Sequence, residues 1–498
     1  MTTAATIDTA SAWEAGRRFR RVRQAGRQLI LIGADVAAFV TADLLLRWGK
    51  SVPELQFFPA QWPAPAAHTI QVDAFLSIAV LFIIVRYLAG DYSRRLLFWD
   101  SARLTTKSLL VAALPDFFLL IAGNGLYSPF AIASSWLLLL ITIPAFRQIA
   151  RVAMFKFGLW KISSVLIGAG ERAGDIYNAL SNSLSLGFDL QTVMSTDSNC
   201  TLPTSLSALK CIVVSDADDA VRRVQQSGCE QAVIAAGDVD SPQFSDIVQR
   251  FLEADIAVAI VPSLRRLPLV GLSTGYFFGQ DILLLQVRNN LRQLPRRILK
   301  RSFDILGATI LLGLLSPVFA VIAFAIRRAD GGPALYSHRR VGRNREPFDC
   351  LKFRTMAVDA DERLDRWRDE NPALYEEFLK SFKLRDDPRV TEPGKWLRRT
   401  SLDELPQLIN VLRGEMSLVG PRPVVELELQ NYYGPAAQLY CRVRPGMTGL
   451  WQVSGRSDTS YEERVTYDEW YILNWTFWYD LVILLQTAWI VASGKGAF

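Results

Sequence analysis

The sequence predicts a membrane α/β protein in four parts: four N-terminal transmembrane helices, a soluble α/β domain, a re-entrant apolar helix, and a mostly α C-terminal domain. Three observations predict it. Half of the 498 residues are hydrophobic and mean hydropathy is +0.17, a composition that points to membrane association. Four apolar segments, Leu29–Leu46, Ile70–Ala89, Leu109–Gly123 and Phe130–Phe146, fill residues 28–147. Each approaches the roughly 20 residues of a membrane helix. From Lys161 to about residue 285 the texture changes to short apolar strands alternating with amphipathic segments.

Residues 1–27 read as a cytoplasmic basic tail, with Arg17, Arg18, Arg20, Arg21, Arg23 and Arg27 crowding its end. No small-residue cleavage site follows the first apolar segment, so no cleavable signal peptide is expected. The third segment is the weakest of the four, being short and carrying Pro115 and Asp116. Asp35, Asp43 and Asp73 are costly in such surroundings and are expected to pair between helices. Arg94, Arg95, Arg103 and Lys107 lie between the second and third segments, and Arg147, Arg151, Lys156 and Lys161 follow the fourth. The other two loops carry only Arg47 and Lys50, or no Lys or Arg. The positive-inside rule then places both ends of the region in the cytoplasm. A soluble helical bundle is the competing reading.

Strands are expected at Ser164–Ile167, Leu190–Met194, Ile212–Val214, Ala232–Ala235 and Ile256–Val261, making residues 161–285 a Rossmann-like domain. The first is followed by Gly168-Ala169-Gly170 and then Gly174, a GxGxxxG spacing and not the dinucleotide GxGxxG. No clear ribose-binding acid follows the second strand, Asp197 being a poor candidate. The expectation is a structural or regulatory domain without a working nucleotide site. The five scattered cysteines show no metal spacing and fit reduced thiols, and His68 and His338 are the only histidines. A net charge of +6, clustered beside apolar segments, gives no nucleic-acid-binding face. Asp216-Ala217-Asp218 and Asp359-Ala360-Asp361 imitate a DxD metal motif, but solvated helical faces account for them.

Residues 296–327 form a second informative stretch. Phe303–Ile326 is apolar and long enough to span, yet Arg296, Arg297, Lys300 and Arg301 precede it and Arg327 and Arg328 follow. Both ends therefore carry cytoplasmic-style charge. Midway lie Ser316 and Pro317. Proline lacks an N–H and its ring crowds the Gly313 carbonyl, so the helix is expected to break or bend there. Near the C-terminus, Trp470–Ala492 mixes aromatics and aliphatics with Asp480 and Gln486, which suits an interfacial helix better than a final span.

The chemistry concentrates in Leu397–Pro423. Arg398 and Arg399 open it, the adjacent carboxylates Asp403 and Glu404 follow, then an apolar-periodic run, then Gly420-Pro421-Arg422-Pro423. Cations, a helix start and paired carboxylates suit a phosphorylated substrate handled with a divalent metal. Ser401-Leu402-Asp403-Glu404 also has the form of a capping box, a purely structural reading. With Ser401 as N-cap, Pro406 falls just past the first turn; with Asp403 as N-cap, it is the third helical residue. Either way the two acids lie at a helix N-terminus. Neighbours there diverge by about 100°, so one acid could attack phosphorus while the other holds a metal.

This stretch resembles the signature of the bacterial monotopic phosphoglycosyl transferases, the polyprenyl-phosphate hexose-1-phosphate transferases. So do Lys352-Phe353-Arg354-Thr355-Met356, Asp386-Asp387-Pro388-Arg389-Val390-Thr391, and the run from Arg444 through Gly449, Trp451 and Gln452 to Arg456. Within the family the chain looks most similar to undecaprenyl-phosphate galactose phosphotransferases. Val261–Leu269, Asn289-Asn290-Leu291 and Asp330–Ala334 add to that likeness, although such blocks need not touch sugar.

The resemblance implies residues 328–498 as the catalytic domain. It implies Asp403 as nucleophile on the β-phosphate of a UDP-hexose, with UMP leaving and undecaprenyl phosphate then taking the enzyme-bound phosphosugar. Glu404 matches the family's Mg2+ ligand, and Arg398 and Arg422 match residues contacting phosphate or nucleotide sugar. Lys352 and Arg354 are further substrate-binding candidates, with contact to anionic membrane lipid as the bland alternative for these cations. The family also implies the Ser316–Pro317 re-entrant helix, which helix parity favours because a full span would part Asp403 from cytoplasmic nucleotide sugars. A bacterial inner-membrane location, with the Rossmann-like and catalytic domains on the cytoplasmic side, and a homodimer are implied as well. UDP-glucose is an alternative donor. A membrane-attached NAD-dependent epimerase or dehydratase would typically need Tyr-x-x-x-Lys, and no tyrosine here has lysine four residues later. A non-catalytic scaffold for polysaccharide export is the third reading.

Overall fold

The computed structural model describes residues 2–51, 78–122, 129–168, 170–195, 203–207, 209–235, 242–262, 267–270, 272–276, 283–287, 290–360, 387, 389–454 and 460–493. The chain divides into two compact units, residues 1–263 and 264–498.

In the first unit, α1 (Thr2–Ser51) runs unbroken through both the basic tail and the first apolar segment. Helix α2 covers Ile78–Leu88, the earlier part of its expected segment lying outside the described residues. Helices α3 (Phe98–Ala122) and α4 (Pro129–Lys156) follow. Among the described residues, three helices are long and apolar enough to cross a membrane: Val22–Leu46, Ile132–Lys156 and Leu294–Asp330. The third expected segment, within α3, is not one of them. It holds Pro115, and its Asp116 accepts a hydrogen bond from Trp136 Nε1 of α4 at 3.1 Å.

The expectation that acids in these helices pair across them holds for Asp35. Its carboxylate accepts from Arg147 Nε at 2.6 Å and Nη2 at 2.7 Å, and from Tyr92 Oη at 2.6 Å. Arg147 also reaches Asp91, which Arg86 holds from the other side at 2.7 Å. All four charged side chains are at most 2% exposed, so two cations and two anions compensate one another out of water. Asp73 lies outside the described residues.

The sheet is fully parallel. Its strands are β1 (Ile162–Ile167), β2 (Phe188–Ser195), β3 (Lys210–Val213), β4 (Gln231–Ala235) and β5 (Ala257–Val261), in spatial order β3-β2-β1-β4-β5. Helices α5 (Glu171–Ser181), α6 (Ala217–Ser227) and α7 (Pro242–Glu253) connect them, while a single 3-10 turn precedes β3. Val165, Val193, Ala232 and Val233 are fully buried in its two-sided core, as parallel strands require. Asp216 proves to be the N-cap of α6, accepting from Asp219 N at 2.7 Å, which disposes of the first DxD triplet. Cys229 and Cys350 are buried free thiols and Cys441 is a half-buried one, but Cys211 is disulfide-bonded, against the expectation of an all-reduced set.

The second unit opens with a hairpin, β6 (Ser273–Tyr276) and β7 (Leu283–Gln286). Helix α8 (Leu294–Asp330) follows, then the hairpin β8 (Leu335–Val341) with β9 (Pro347–Phe353). Next come α9 (Glu392–Thr400), α10 (Gln407–Arg413) and β10 (Ser417–Val419), then two short helices, α11 (Glu426–Tyr432) and α12 (Ala436–Tyr440). Strand β11 (Gly446–Thr448), α13 (Leu450–Ser454), α14 (Tyr461–Asn474) and α15 (Phe477–Ser493) complete it.

Helix α8 stays helical on both sides of Pro317, so the proline does not end it. Ser316 Oγ donates to Gly313 O at 2.8 Å, supplying the hydrogen bond that the proline nitrogen cannot make to that carbonyl. Blocks Leu267–Leu269 and Asn290-Leu291 prove structural. Asn474 Oδ1 accepts from Leu269 N and Val270 N at 2.7 and 2.9 Å, and Asn290 Nδ2 donates to Val270 O and Trp475 O.

Removing one partner of a buried ion pair leaves the other charged and unsolvated, at a cost of about 3–5 kcal/mol. Asp35→Ala is therefore expected to lower the Tm of the detergent-solubilised protein by several degrees. Asp35→Ala with Arg147→Met is expected to recover part of that loss, read by the same thermal scan.

Candidate active site

Asp403 and Glu404 sit in a 3-10 turn, Leu402–Glu404, between α9 and α10. The capping-box reading fails. Ser401 has φ 57°, in the left-handed region, and its side chain makes no cap hydrogen bond, while α10 starts from Pro406. The turn rather than a helical N-cap separates the two carboxylates.

Lys352 on β9 donates from Nζ to Glu404 Oε1 at 2.6 Å, with both side chains close to 30% exposed. The register that brings them together is set by buried Asn410. Its Oδ1 accepts from Leu351 N at 3.0 Å, and its Nδ2 donates to Asp349 O at 2.8 Å and Glu415 Oε2 at 2.7 Å. One asparagine thus sews α10 to the strand carrying Lys352.

The neighbouring carboxylates are driven apart electrically. Burial and the adjacent Glu404 push Asp403 up to about 6, against the opposing pull of Lys352 and Arg398. Burial also raises Glu404, but the Lys352 ammonium, with Arg422 and Arg340 behind it, outweighs burial and holds that carboxyl below its ordinary value. Two acids with divergent environments are a recognised sign of divided chemical roles.

Arg398 on α9 donates from Nε to Thr355 Oγ1 at 3.0 Å. Burial lowers its guanidinium pKa, while Asp387 and Asp403 act in the opposite sense. Arg422 lies 5.2 Å over the Trp451 ring, which Arg464 also covers at 4.9 Å. Its turn is tied down on both sides: Gly420 N donates to Thr448 O at 2.9 Å and Gly446 N to Pro421 O at 2.7 Å. Strands β10 and β11 pair in parallel there, Ser417 with Gly446 and Val419 with Thr448. A Cβ on Gly446 would overlap Gly420 N, and one on Gly449 would overlap Gly420 O. Only glycine allows this approach.

Arg354 lies mostly out of solvent. It is 8% exposed and ion-paired with Asp330 at the C-terminal end of α8, so here it anchors the hairpin to that helix. Asp387 and Arg389 likewise pair with each other, at 2.7 Å. Sequence reasoning missed Arg340, on β8, whose charge acts on Glu404. Its only signal was membership of the Arg339-Arg340 pair. Trp451 lay inside a quoted block, but nothing in the sequence marked it as the floor beneath Arg422.

Among the described residues no three His, Cys, Asp or Glu side chains gather into a metal site. The oxygens at hand are the carboxylates of Asp403 and Glu404, hard donors on a half-exposed turn. That set fits Mg2+, which takes one or two carboxylates and completes its shell with substrate phosphates and water.

Comparison with known proteins places this arrangement. Residues 295–494 match the family described as bacterial sugar transferase. The undecaprenyl-phosphate galactose phosphotransferase of Salmonella typhimurium is 36% identical over 408 residues, 82% of this chain and 84% of that one. The UDP-galactose-lipid carrier transferase of Erwinia amylovora is 37% identical over 409 residues, again 82% and 84%. The UDP-glucose:undecaprenyl-phosphate glucose-1-phosphate transferase of Escherichia coli is 39% identical over 209 residues, 41% of this chain and 42% of that one. The chain belongs to the bacterial polyprenyl-phosphate sugar-phosphate transferases, and it is an enzyme of that sugar phosphotransferase class.

A half-exposed ion pair adds at most about 1 kcal/mol to stability, whereas a cation at a phosphate site can govern turnover. Lys352→Met is therefore expected to leave Tm nearly unchanged and lower the sugar-phosphate transfer rate by about 10²-fold. Gly446→Ala is expected to do the reverse of selective damage: loss of a cooperative thermal transition together with activity.

Proposed function

We propose that the protein transfers hexose-1-phosphate, galactose-1-phosphate by preference, from a UDP-sugar to undecaprenyl phosphate. The products are undecaprenyl diphosphate sugar and UMP, made at the first membrane step of O-antigen, capsule or exopolysaccharide synthesis. The observation that carries this reading is the split pair: Asp403 raised to about 6 beside Glu404, which Lys352 holds ionised. At neutral pH a carboxyl near 6 is largely ionised and remains a competent nucleophile.

In the first step an Asp403 oxygen attacks the β-phosphorus of the donor. The bond from that phosphorus to the bridging oxygen breaks, and UMP departs with the electron pair. In the second step a phosphate oxygen of undecaprenyl phosphate attacks the same phosphorus, and Asp403 is released as carboxylate. Arg398 and Arg422 bind and orient the phosphates through forked guanidinium hydrogen bonds, and Lys352 adds charge beside them. Glu404 would hold Mg2+, which when bound neutralises diphosphate charge. Covalent storage lets a soluble donor and a bilayer acceptor use one site in turn.

The preference for galactose rests on relatives named for galactose matching over 82% of the chain, against 41% for the relative named for glucose. UDP-glucose is the second reading, favoured by that last relative.

The arrangement we propose places four N-terminal helices across the bacterial inner membrane, with a Rossmann-like domain and the catalytic domain in the cytoplasm and two copies forming a homodimer. Helix α8 would enter the bilayer and return to the same side. Straight, its 37 residues would run about 55 Å against an apolar core of about 30 Å. Asp304 and Ala308 in its first half and Ile322 and Ile326 in its second are buried within the same compact unit, which supports a helix whose two ends stay on one side.

Purified enzyme given Mg2+ and UDP-galactose without acceptor is expected to release one UMP per site. It should gain a phosphohexose mass on the peptide containing Asp403. Asp403→Asn should give neither product, and EDTA should stop UMP release until Mg2+ is restored. A full panel of UDP-sugars yielding no adduct on folded protein would exclude the covalent course.

A further inference from the structure

The basic residues ahead of the apolar helix read in the sequence as cytoplasmic-style flanking charge. Three of them bond to the protein itself, Arg296 to Asn290 Oδ1 and the other two to the segments after β9. Arg301 donates to Val411 O at 2.7 Å and Leu412 O at 3.0 Å, closing the C-terminal end of α10. Lys300 reaches further. Its Nζ donates to Val419 O at 3.0 Å, to Tyr471 Oη at 3.3 Å and to Asp480 Oδ2 at 2.8 Å.

The groups around it are sealed from solvent. Tyr471, Trp475 and Asp480 are 1–2% exposed. The Tyr471 hydroxyl lies 2.7 Å from Asp480 Oδ1 and 3.0 Å from Val419 O, and Trp475 Nε1 donates to Asp480 Oδ2 at 3.0 Å. One turn along α8, Asp304 accepts from Leu418 N at 3.1 Å. Side chains of α8 and α14 therefore converge on the backbone of β10, and Asp480 of α15 holds two of them, Lys300 and Tyr471.

A buried ion pair is a poor way to gain stability, because apolar side chains of similar size usually do as well. What it supplies is a directional hold. Val419 is three residues ahead of Arg422, and its carbonyl is the group held. Beyond the turn, Tyr440 Oη donates toward Arg422 O at 3.1 Å, and Gly420 and Pro421 are fixed to β11. The Lys300 cluster, together with the Asp304 bond to Leu418 N, joins this turn to α8 and α15, both apolar helices with exposed faces (Leu314 and Trp489 are each 73% exposed).

We propose that Lys300, acting with Asp480 and Tyr471 through the Val419 carbonyl, is a positioning residue for Arg422. It sets the place of the Gly420–Pro423 turn relative to the two apolar helices, and so the place of the guanidinium that receives the donor. The inference rests on the reading of Arg422 as a donor contact.

The two half-reactions separate this role from a merely structural one. UMP release would be followed against UDP-sugar concentration, and the pre-formed phosphosugar enzyme would be mixed with polyprenyl phosphate. Lys300→Met is expected to raise the donor concentration for half-maximal adduct formation at least about tenfold, equivalent to 1.4 kcal/mol. The rate of the acceptor step should change less than twofold. Lys300→Arg should recover part of the donor affinity, and Tyr471→Phe, which keeps the ring and carries the test if Lys300→Met does not fold, should shift it in the same direction. In an Arg422→Ala background neither change should cost anything more.

Equal losses in both half-reactions, or a further loss in the Arg422→Ala background, would overturn the inference. Normal donor capture by Lys300→Met and Tyr471→Phe, with capture impaired in Arg422→Ala, would overturn it alone. Normal capture by Arg422→Ala would overturn the reading of Arg422 and this inference with it.

Discussion

The catalytic unit depends on one close approach of two backbones. Gly420 and Gly446 stand so near that a single methyl on Gly446 would occupy the space of the facing nitrogen. The short parallel pairing of β10 with β11 exists because of that contact. It delivers Pro421 and Arg422 at the end of one strand and Trp451 just beyond the end of the other. The aromatic floor under the arginine is thus a consequence of where two glycines let the chain close. The Gly-Pro-Arg-Pro and Arg-Pro-Gly-Met-Thr-Gly runs are two halves of one object.

Around that contact, buried polar groups perform the alignment while apolar packing supplies the bulk of the stabilisation. Asn410 uses both ends of its amide to hold α10 against β9, which brings Lys352 to Glu404. Lys300 and Asp480 hold β10 to the apolar helices. The same economy governs the N-terminal helices, where Asp35, Asp91, Arg86 and Arg147 neutralise one another out of water. Directional bonds cost desolvation but admit few alternatives, and a phosphoryl-transfer site tolerates little displacement.

Much of this was legible in the sequence. The five strands of the parallel sheet fell within a few residues of their expected positions, since continuous apolar runs bounded by glycines and acids admit little else. The structure does bring Asp403, Glu404, Lys352 and Arg398, singled out in the sequence, into one neighbourhood. Asp35 was rightly singled out for an interhelical partner. Other readings gave way to geometry. The capping box was lost because Ser401 adopts a left-handed conformation. Pro317 does not end its helix, and Ser316 returns a hydrogen bond to the Gly313 carbonyl that the proline leaves without its amide partner.

By itself, then, the sequence determined where the apolar segments and strands fall and in which block acids and cations concentrate, because burial period, charge and residue chemistry are local properties. Only the tertiary structure decided which cations face the carboxylates and which are spent on the scaffold. Lys352 and Lys300 look alike in the chain. One ends beside a half-exposed acid and the other inside a sealed cluster, because the partner of a long charged side chain is chosen by the packing of elements far apart in sequence.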